Sequence, residues 1–339
     1  MAIESDRILI AHGGGGSAMH ELVREIFVPT FNNQFLEPLQ DSAVIDELAE
    51  DRLAFTTDAY VVRPLFFPGG DIGRLAVSGT VNDLAMAGAR PLYVSLSVII
   101  EEGFPVEQLR TIAASIKDTA DQARVKVVTG DTKVVEKGAA DGIFITTSGI
   151  GIIETELEIA SDRADDGDAV IVNGYLGDHG IAVMSKREGI NFKSEVQSDV
   201  APLSGLVQEI LDADIDIHVL RDPTRGGAAA ALNEIAESSE VGIRLHAAKI
   251  PVRPEVRSAC DILGLDPLYV ANEGKLIALC PLGQARKLLT LLRKHPLGKS
   301  AAIIGEVTSE WLGNVIMETE IGGTRIVEMP YGEQLPRIC

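Results

Sequence analysis

The chain has 339 residues, a formal net charge of −20 and 46% hydrophobic residues, enough for two domains with full cores. That charge repels nucleic acid and anionic membranes, and it repels a nucleoside triphosphate unless Mg²⁺ and aimed backbone N–H groups offset it. No apolar run approaches the roughly 20 residues of a membrane-spanning helix, and Met1–Arg7 carries no signal-like pattern, so a cytoplasmic protein that binds neither nucleic acid nor membrane is expected.

The first distinctive segment is the glycine run His12-Gly13-Gly14-Gly15-Gly16-Ser17. Its exposed N–H groups suit phosphates, although such a run alone reads equally well as a linker. No Lys-Ser or Lys-Thr follows, so it is not a P-loop. Leu53 to Thr57 reads as a strand ended by Asp58. Arg74 to Gly88 reads as a helix with Val77, Val81, Leu84 and Ala85 on one face, and Asn82 and Asp83 away from it. Leu92 to Ile100 is a strand, and Val106 to Ala123 a helix with Leu109, Ile112, Ala113 and Ile116 inward. Val125 to Thr129 is a strand followed by Gly130-Asp131-Thr132-Lys133, and Ile143 to Ile153 another strand. The turn-rich Asp162 to Asp168 reads as a junction.

The second half repeats the alternation. Ala169 to Val172 is a strand, and the turn Asn173 to Gly180, containing Asp178, opens a helix. Asp222-Pro223-Thr224 starts an Ala-rich helix with Asp222 or Thr224 as its cap. Lys275 to Cys280 is a strand, Gln284 to His295 a helix, and Ala301 to Val307 a strand. The class is α/β, or α+β, in two halves of similar size.

Asp58, Asp83 and Asp131 offer the hard oxygens that Mg²⁺ on a triphosphate takes, though single acids at such places usually only cap or meet solvent. Lys133 stands beside Asp131, where an ammonium holds a phosphate or shuttles a proton. The turns at Asn173–Gly180 and Arg221–Gly227 suit an anion at a helix N-terminus, and tight-turn geometry explains each equally well. Glu273, just before a strand, is a candidate general base. Taken alone it reads as a surface acid. Cys260 and Cys280 sit in apolar stretches and read as core, with no disulfide or zinc spacing. Cys339 ends the Pro- and Gly-punctuated stretch that begins at Pro330, and elimination leaves it as the thiol available for chemistry.

Taken in order, these segments resemble the HypE family of hydrogenase maturation proteins, within the aminoimidazole ribonucleotide synthetase superfamily of ATP-using enzymes. The matching stretches are His12 to Ser17, Thr56 to Met86 with Pro64 to Gly73, Gly130 to Val135, Asn173 to Gly180, Arg221 to Gly227, Ala271 to Gly274 and Gly332 to Cys339. The ending Pro-Arg-Ile-Cys discriminates best. Selenophosphate synthetases resemble this chain but carry a reactive Cys or selenocysteine near the N-terminus, and thiamine monophosphate kinases need none.

The resemblance implies a two-domain fold with mixed sheets and helices packed on one side. Residues 1–155 would form an ATP-binding and dimerisation domain, 156–329 a second α/β domain, and 330–339 a mobile tail. It implies a homodimer formed through the N-terminal sheet. It also implies a reaction: a HypF-type carbamoyltransferase loads Cys339, and ATP drives dehydration of the S-carboxamide to an S-thiocyanate. The cyano group then passes to iron on a HypC–HypD scaffold and becomes a ligand of NiFe-hydrogenase. In that scheme Cys339, Lys133 and Glu273 are catalytic, with the order of the last two roles open. Asp58, Asp83 and Asp131 bind Mg²⁺. Gly13, Gly14, Gly15, Gly16, Asn82, Gly130, Asp131, Thr132, Asp178 and Asp222 bind ATP. Two other readings compete: an ATP-dependent synthetase or kinase for a small metabolite, and a carrier whose thiol only ferries a group.

Overall fold

A computed structural model describes residues 16–27, 39, 43–45, 52–189, 196–332 and 335–339. His12, Gly13, Gly14 and Gly15 lie outside the described residues. The first half is built on strands β1 (Ala43–Ile45), β2 (Arg52–Tyr60), β5 (Ala89–Glu101), β6 (Lys126–Val135) and β7 (Ile143–Ile153), with a short hairpin of β3 (Phe66–Phe67) and β4 (Gly70–Asp71). The five-stranded sheet runs β1-β2-β7-β5-β6, and β5 and β6 are its parallel pair. Two strands are longer than the sequence suggests. Asp58 lies inside β2 rather than at its end, and Gly130 to Lys133 lie inside β6 rather than after it. The long β5 templates this, pairing as far as Glu101 with Val135.

Helices α2 (Ile72–Met86) and α3 (Val106–Ala123) cover one face of this sheet, after a first short helix α1 (Ser17–Leu22). Asp71 caps α2, its Oδ1 accepting the N–H groups of Gly73 at 2.8 Å and Arg74 at 2.9 Å. Helix α2 is buried almost all round, including Asn82, because its far side packs on the second half of the chain. A Cβ on Gly79 would stand 2.3 Å from the Tyr60 hydroxyl, so only glycine lets β2 and α2 approach this closely. In α3, Ile112 and Ile116 are buried while Ala113 faces solvent. Among the described residues the other face of the sheet carries no helix. There Phe55, Ile150 and Tyr93 stand in register across β2, β7 and β5, 42%, 39% and 46% exposed.

The second half contains β8 (Asp168–Val172), α4 (Asp178–Glu188), α5 (Ser204–Leu211), β9 (Val219–Arg221), α6 (Gly227–Ser238), β10 (Gly242–His246), α7 (Pro254–Leu263), β11 (Ile277–Pro281), α8 (Leu282–Lys294), β12 (Ala302–Thr308), β13 (Val315–Glu318) and β14 (Thr324–Val327). They give a mixed sheet in the order β14-β13-β10-β12-β8-β11-β9. Strand β8 is buried on both faces: Val170 and Val172 pack with α6, and Ala169 and Ile171 with α5 and α8. One-sided helix packing therefore describes the first sheet, while the second is covered on both sides. Helix α6 begins two to four residues later than either cap in its sequence suggests. Its cap is Gly226, at φ 77°, so neither Asp222 nor Thr224 caps it. Gly227 follows at φ 64°, where a Cβ would meet the Leu268 carbonyl at 2.4 Å.

Candidate functional site

The two halves meet along β2, α2 and the loop Ala271–Lys275. Asp58 and Tyr60 lie on β2, Asp83 on α2, and Glu273 in the loop between α7 and strand β11. Thr56 Oγ1 donates to Asp83 Oδ2 at 3.0 Å. Asn82 holds Glu273 in place: its Nδ2 donates to the Ala201 carbonyl at 3.2 Å and the Glu273 carbonyl at 3.4 Å, and its Oδ1 accepts the Leu203 N–H at 2.7 Å. Those contacts occupy its amide, so Asn82 positions the loop rather than presenting a group to a ligand.

Glu273 is buried, and its Oε1 has no hydrogen-bond partner among the described residues. Burial, then the charges of Asp222, Asp199 and Asp58, push its carboxyl well above the ordinary range against the opposing pull of Arg225. Burial also raises Asp58, opposed first by Arg225. Carboxylates thus crowd around a single guanidinium, an arrangement that suits Mg²⁺ together with an anion. In a lone chain no three His, Cys, Asp or Glu side chains form a metal-binding group among the described residues.

Asp199, which no sequence motif marks, braces the same loop. It accepts from Glu273 N–H at 3.2 Å, Gly274 N–H at 3.1 Å and Lys275 Nζ at 2.9 Å. Burial alone would raise its carboxyl, but Lys275, His179 and these donors outweigh burial and hold it below the usual range. A Cβ on Gly274 would lie 1.9 Å from the Asp199 carbonyl, so the loop passes here only as glycine. Asp178, the first residue of α4, pairs with Arg253 at 2.9 Å, and burial pushes its pKa up to about 6. Asp222 is also buried.

Asp131, Thr132 and Lys133 stand apart from this cluster. The register row Asp58–Thr147–Leu96–Gly130 crosses the sheet from β2 to β6. Three strand spacings separate its ends, about 14 Å. Asp131, one residue on, shares the helix-free face with Ser97 and Ala59, and it pairs with Lys133 at 2.7 Å in solvent. Within one chain, therefore, Asp131 cannot share an ion with Asp58 and Asp83, and Lys133 does not meet Glu273.

The tail is docked. Leu335, Ile338 and Cys339 are buried in the same apolar cluster as Tyr60, Val62 and Phe67. The Val61 N–H donates to the Cys339 carbonyl and the Arg63 N–H to the Arg337 carbonyl, each at 3.1 Å, a short antiparallel ladder continuing β2. Arg225, Gly226, Tyr269, Ala271, Leu335 and Ile338 line the adjoining cleft. Gly16 is the described end of the glycine run. It backs onto Pro330, whose carbonyl accepts the Ser17 N–H at 2.8 Å.

Residues 39–153 match the family model of the AIR synthase related protein N-terminal domain, and residues 165–318 that of its C-terminal domain. A carbamoyl dehydratase HypE from Cupriavidus necator is 51% identical over 99% of this chain and 96% of its own length. The chain belongs to the HypE family. A solved HypE structure in complex with ATP shares 48% identity at a TM-score of 0.82, covering 98% of this chain and 100% of that one. The HypE–HypF complex gives a TM-score of 0.87 at 47% identity, covering 91% of this chain and 99% of that one. Family members of this kind carry the two-domain fold described above. Among the described residues no helix is long and apolar enough to cross a membrane.

Proposed function

We propose that this protein, like the carbamoyl dehydratases it resembles, takes part in hydrogenase maturation by dehydrating a carboxamide carried on Cys339 to a thiocyanate, using ATP. The observation that carries the reading is the docked tail. The Cys339 main-chain oxygen accepts from Val61, three residues after Asp58 and just past the end of β2, in a core that also borders buried Glu273.

An amide loses its oxygen only if that oxygen becomes a better leaving group, which phosphorylation achieves. Departure of phosphate and of the nitrogen-bound protons then leaves the nitrile, and the site must exclude water meanwhile. Mg²⁺, held by Asp58 and Asp83, would neutralise phosphate charge. The Arg221–Gly227 turn with Asp222, and the Asn173–Gly180 turn with Asp178, flank the anion. Gly13 to Gly16 supply N–H groups to it. In its ionised form, which the neighbouring charge of Arg225 favours, Glu273 takes a proton from nitrogen.

Asp131 and Lys133, with Gly130 and Thr132, act from a second copy. A homodimer through the helix-free sheet face would cover Phe55, Tyr93 and Ile150 and bring each β6 to its neighbour's cluster. The carbamoyl donor is a HypF-type carbamoyltransferase, and a HypC–HypD scaffold receives the cyano group. A HypE–HypF complex exists among the similar structures.

Mass spectrometry of the C-terminal peptide tests this. Carbamoylated protein with Mg-ATP should lose the mass of one water at Cys339, and should not without ATP. Glu273→Gln should keep ATP binding and abolish that loss. Full ATP-coupled turnover of a small molecule by Cys339→Ala would overturn the reading in favour of a metabolite synthetase or kinase.

A further inference from the structure

The geometry points to Arg187 as a positioning residue that clamps the tail by its main chain. Arg187 lies in the last turn of α4, and its guanidinium fork converges on three carbonyls. Nη1 donates to Pro336 O at 2.6 Å, Nη2 to Arg337 O at 2.6 Å, and Nε and Nη2 to Arg63 O at 2.8 and 2.6 Å. It thereby ties the tail to the segment after β2 that makes the ladder with it. Charge-assisted bonds in a planar fork are the strong kind, and a lysine cannot reproduce them.

A second donor acts in the same way. His179 is fully buried, edge-on to Phe67 at 5.4 Å between ring centroids. Its Nε2 lies 2.8 Å from the Ile338 carbonyl, which can only accept, so Nε2 carries the hydrogen and Nδ1 accepts from Ser198 Oγ at 2.8 Å. Arg337 closes the other edge, donating to Val61 O at 2.8 Å and to Asp141 at 2.5 Å.

Each of these bonds that reaches the tail, apart from those of Arg337's own side chain, reads its backbone. None involves Cys339 Sγ. The clamp therefore holds the tail alike whether the sulfur is a thiol, a carboxamide or a thiocyanate. It fixes where the thiol sits without choosing its cargo. Delivery of the group to Cys339, and its removal, both require Arg187 to let go.

This inference rests on the dehydratase reading for its catalytic consequence, but its first readout does not. Full-length Arg187→Ala and Arg187→Lys are treated with iodoacetamide, and alkylation is followed on the Cys339 peptide. Cys260 and Cys280 are fully buried with thiols pushed up to about 12, so they give a slow internal reference. Arg187→Ala should be alkylated at least about tenfold faster than the native protein, and Arg187→Lys should fall between. Should Arg187→Ala not fold, Arg187→Lys and Asp141→Asn, which releases Arg337, carry the same comparison. The second readout is a single turnover of carbamoylated protein with Mg-ATP, which should slow in the same order. Unchanged alkylation in the folded variants overturns the clamp. Faster alkylation with an unchanged single turnover overturns its positioning role. Faster alkylation in a protein whose native form never loses water keeps the clamp and removes the dehydratase reading instead.

Discussion

Single residues at this site are set by what surrounds them more than by what they are. Glu273 and Asp199 are both buried acids in contact through one loop. Glu273 has an orphaned oxygen and neighbouring negative charge, so it holds its proton. Asp199 has an ammonium and two N–H donors, so it stays ionised. The pair follows a general rule, that environments which push two acids apart divide acid and base roles between them. Asp178 makes the stability consequence measurable. Its folded pKa of about 6 exceeds its ordinary 3.8, so the folded state holds a proton that the unfolded state releases. Its contribution to stability is complete below about pH 4 and is lost as pH rises to about 6. Asp178→Asn should remove that slope, by up to about 3 kcal/mol across the window, in denaturation curves taken at each pH.

Elements explain which residues were legible in the sequence. Helix α3 was readable because one amphipathic stripe meets one sheet face. Helix α2 carries the same kind of stripe, yet almost every side of it is buried, since the second half of the chain covers the rest. Periodicity reports one partner and is silent about a second. Strand β6 runs further than its sequence predicts, since Gly130 and Asp131 look like a turn. Tertiary pairing with β5 overrides that propensity. Helix α6 starts later than its sequence predicts because two glycines in the left-handed region displace Asp222 and Thr224, which are good caps by residue type. Asp71 is the cap that does act. Asp71→Ala should lower stability by about 1 kcal/mol, read from chemical denaturation. The structure at Asn82 should be unaffected by that change, since its contacts lie about three turns further along α2.

At the scale of the molecule, a single chain leaves the candidate site divided. Asp58, Asp83, Asp222 and Glu273 gather where the halves meet, and Asp131 with Lys133 remain about 14 Å away across the sheet. If β6 serves the neighbouring copy, two inactive variants should repair one another. Lys133→Ala mixed with Glu273→Gln should yield mixed dimers with one complete site. Random pairing then returns on the order of a quarter of native thiocyanate formation. No recovery after subunit exchange would place Lys133 in the same chain's reaction or in none. Tyr93→Glu, on the exposed row, should lower the oligomeric mass by light scattering and reduce turnover with it.

By itself the sequence determined the two α/β halves and the glycine-rich turns, and it marked the acids proposed for chemistry, because these are written in local pattern and residue type. It also singled out Cys339 by its place in a Pro- and Gly-punctuated tail, although the fold buries all three thiols. Tertiary structure decided the rest. Burial and neighbouring charge made Glu273 a proton holder, the order of strands set Asp131 apart from Asp58, and a guanidinium on α4 met a tail some 150 residues away in sequence. Such long-range juxtapositions leave no periodic trace in the chain, so only the folded molecule could bring Arg187, His179 and Cys339 together.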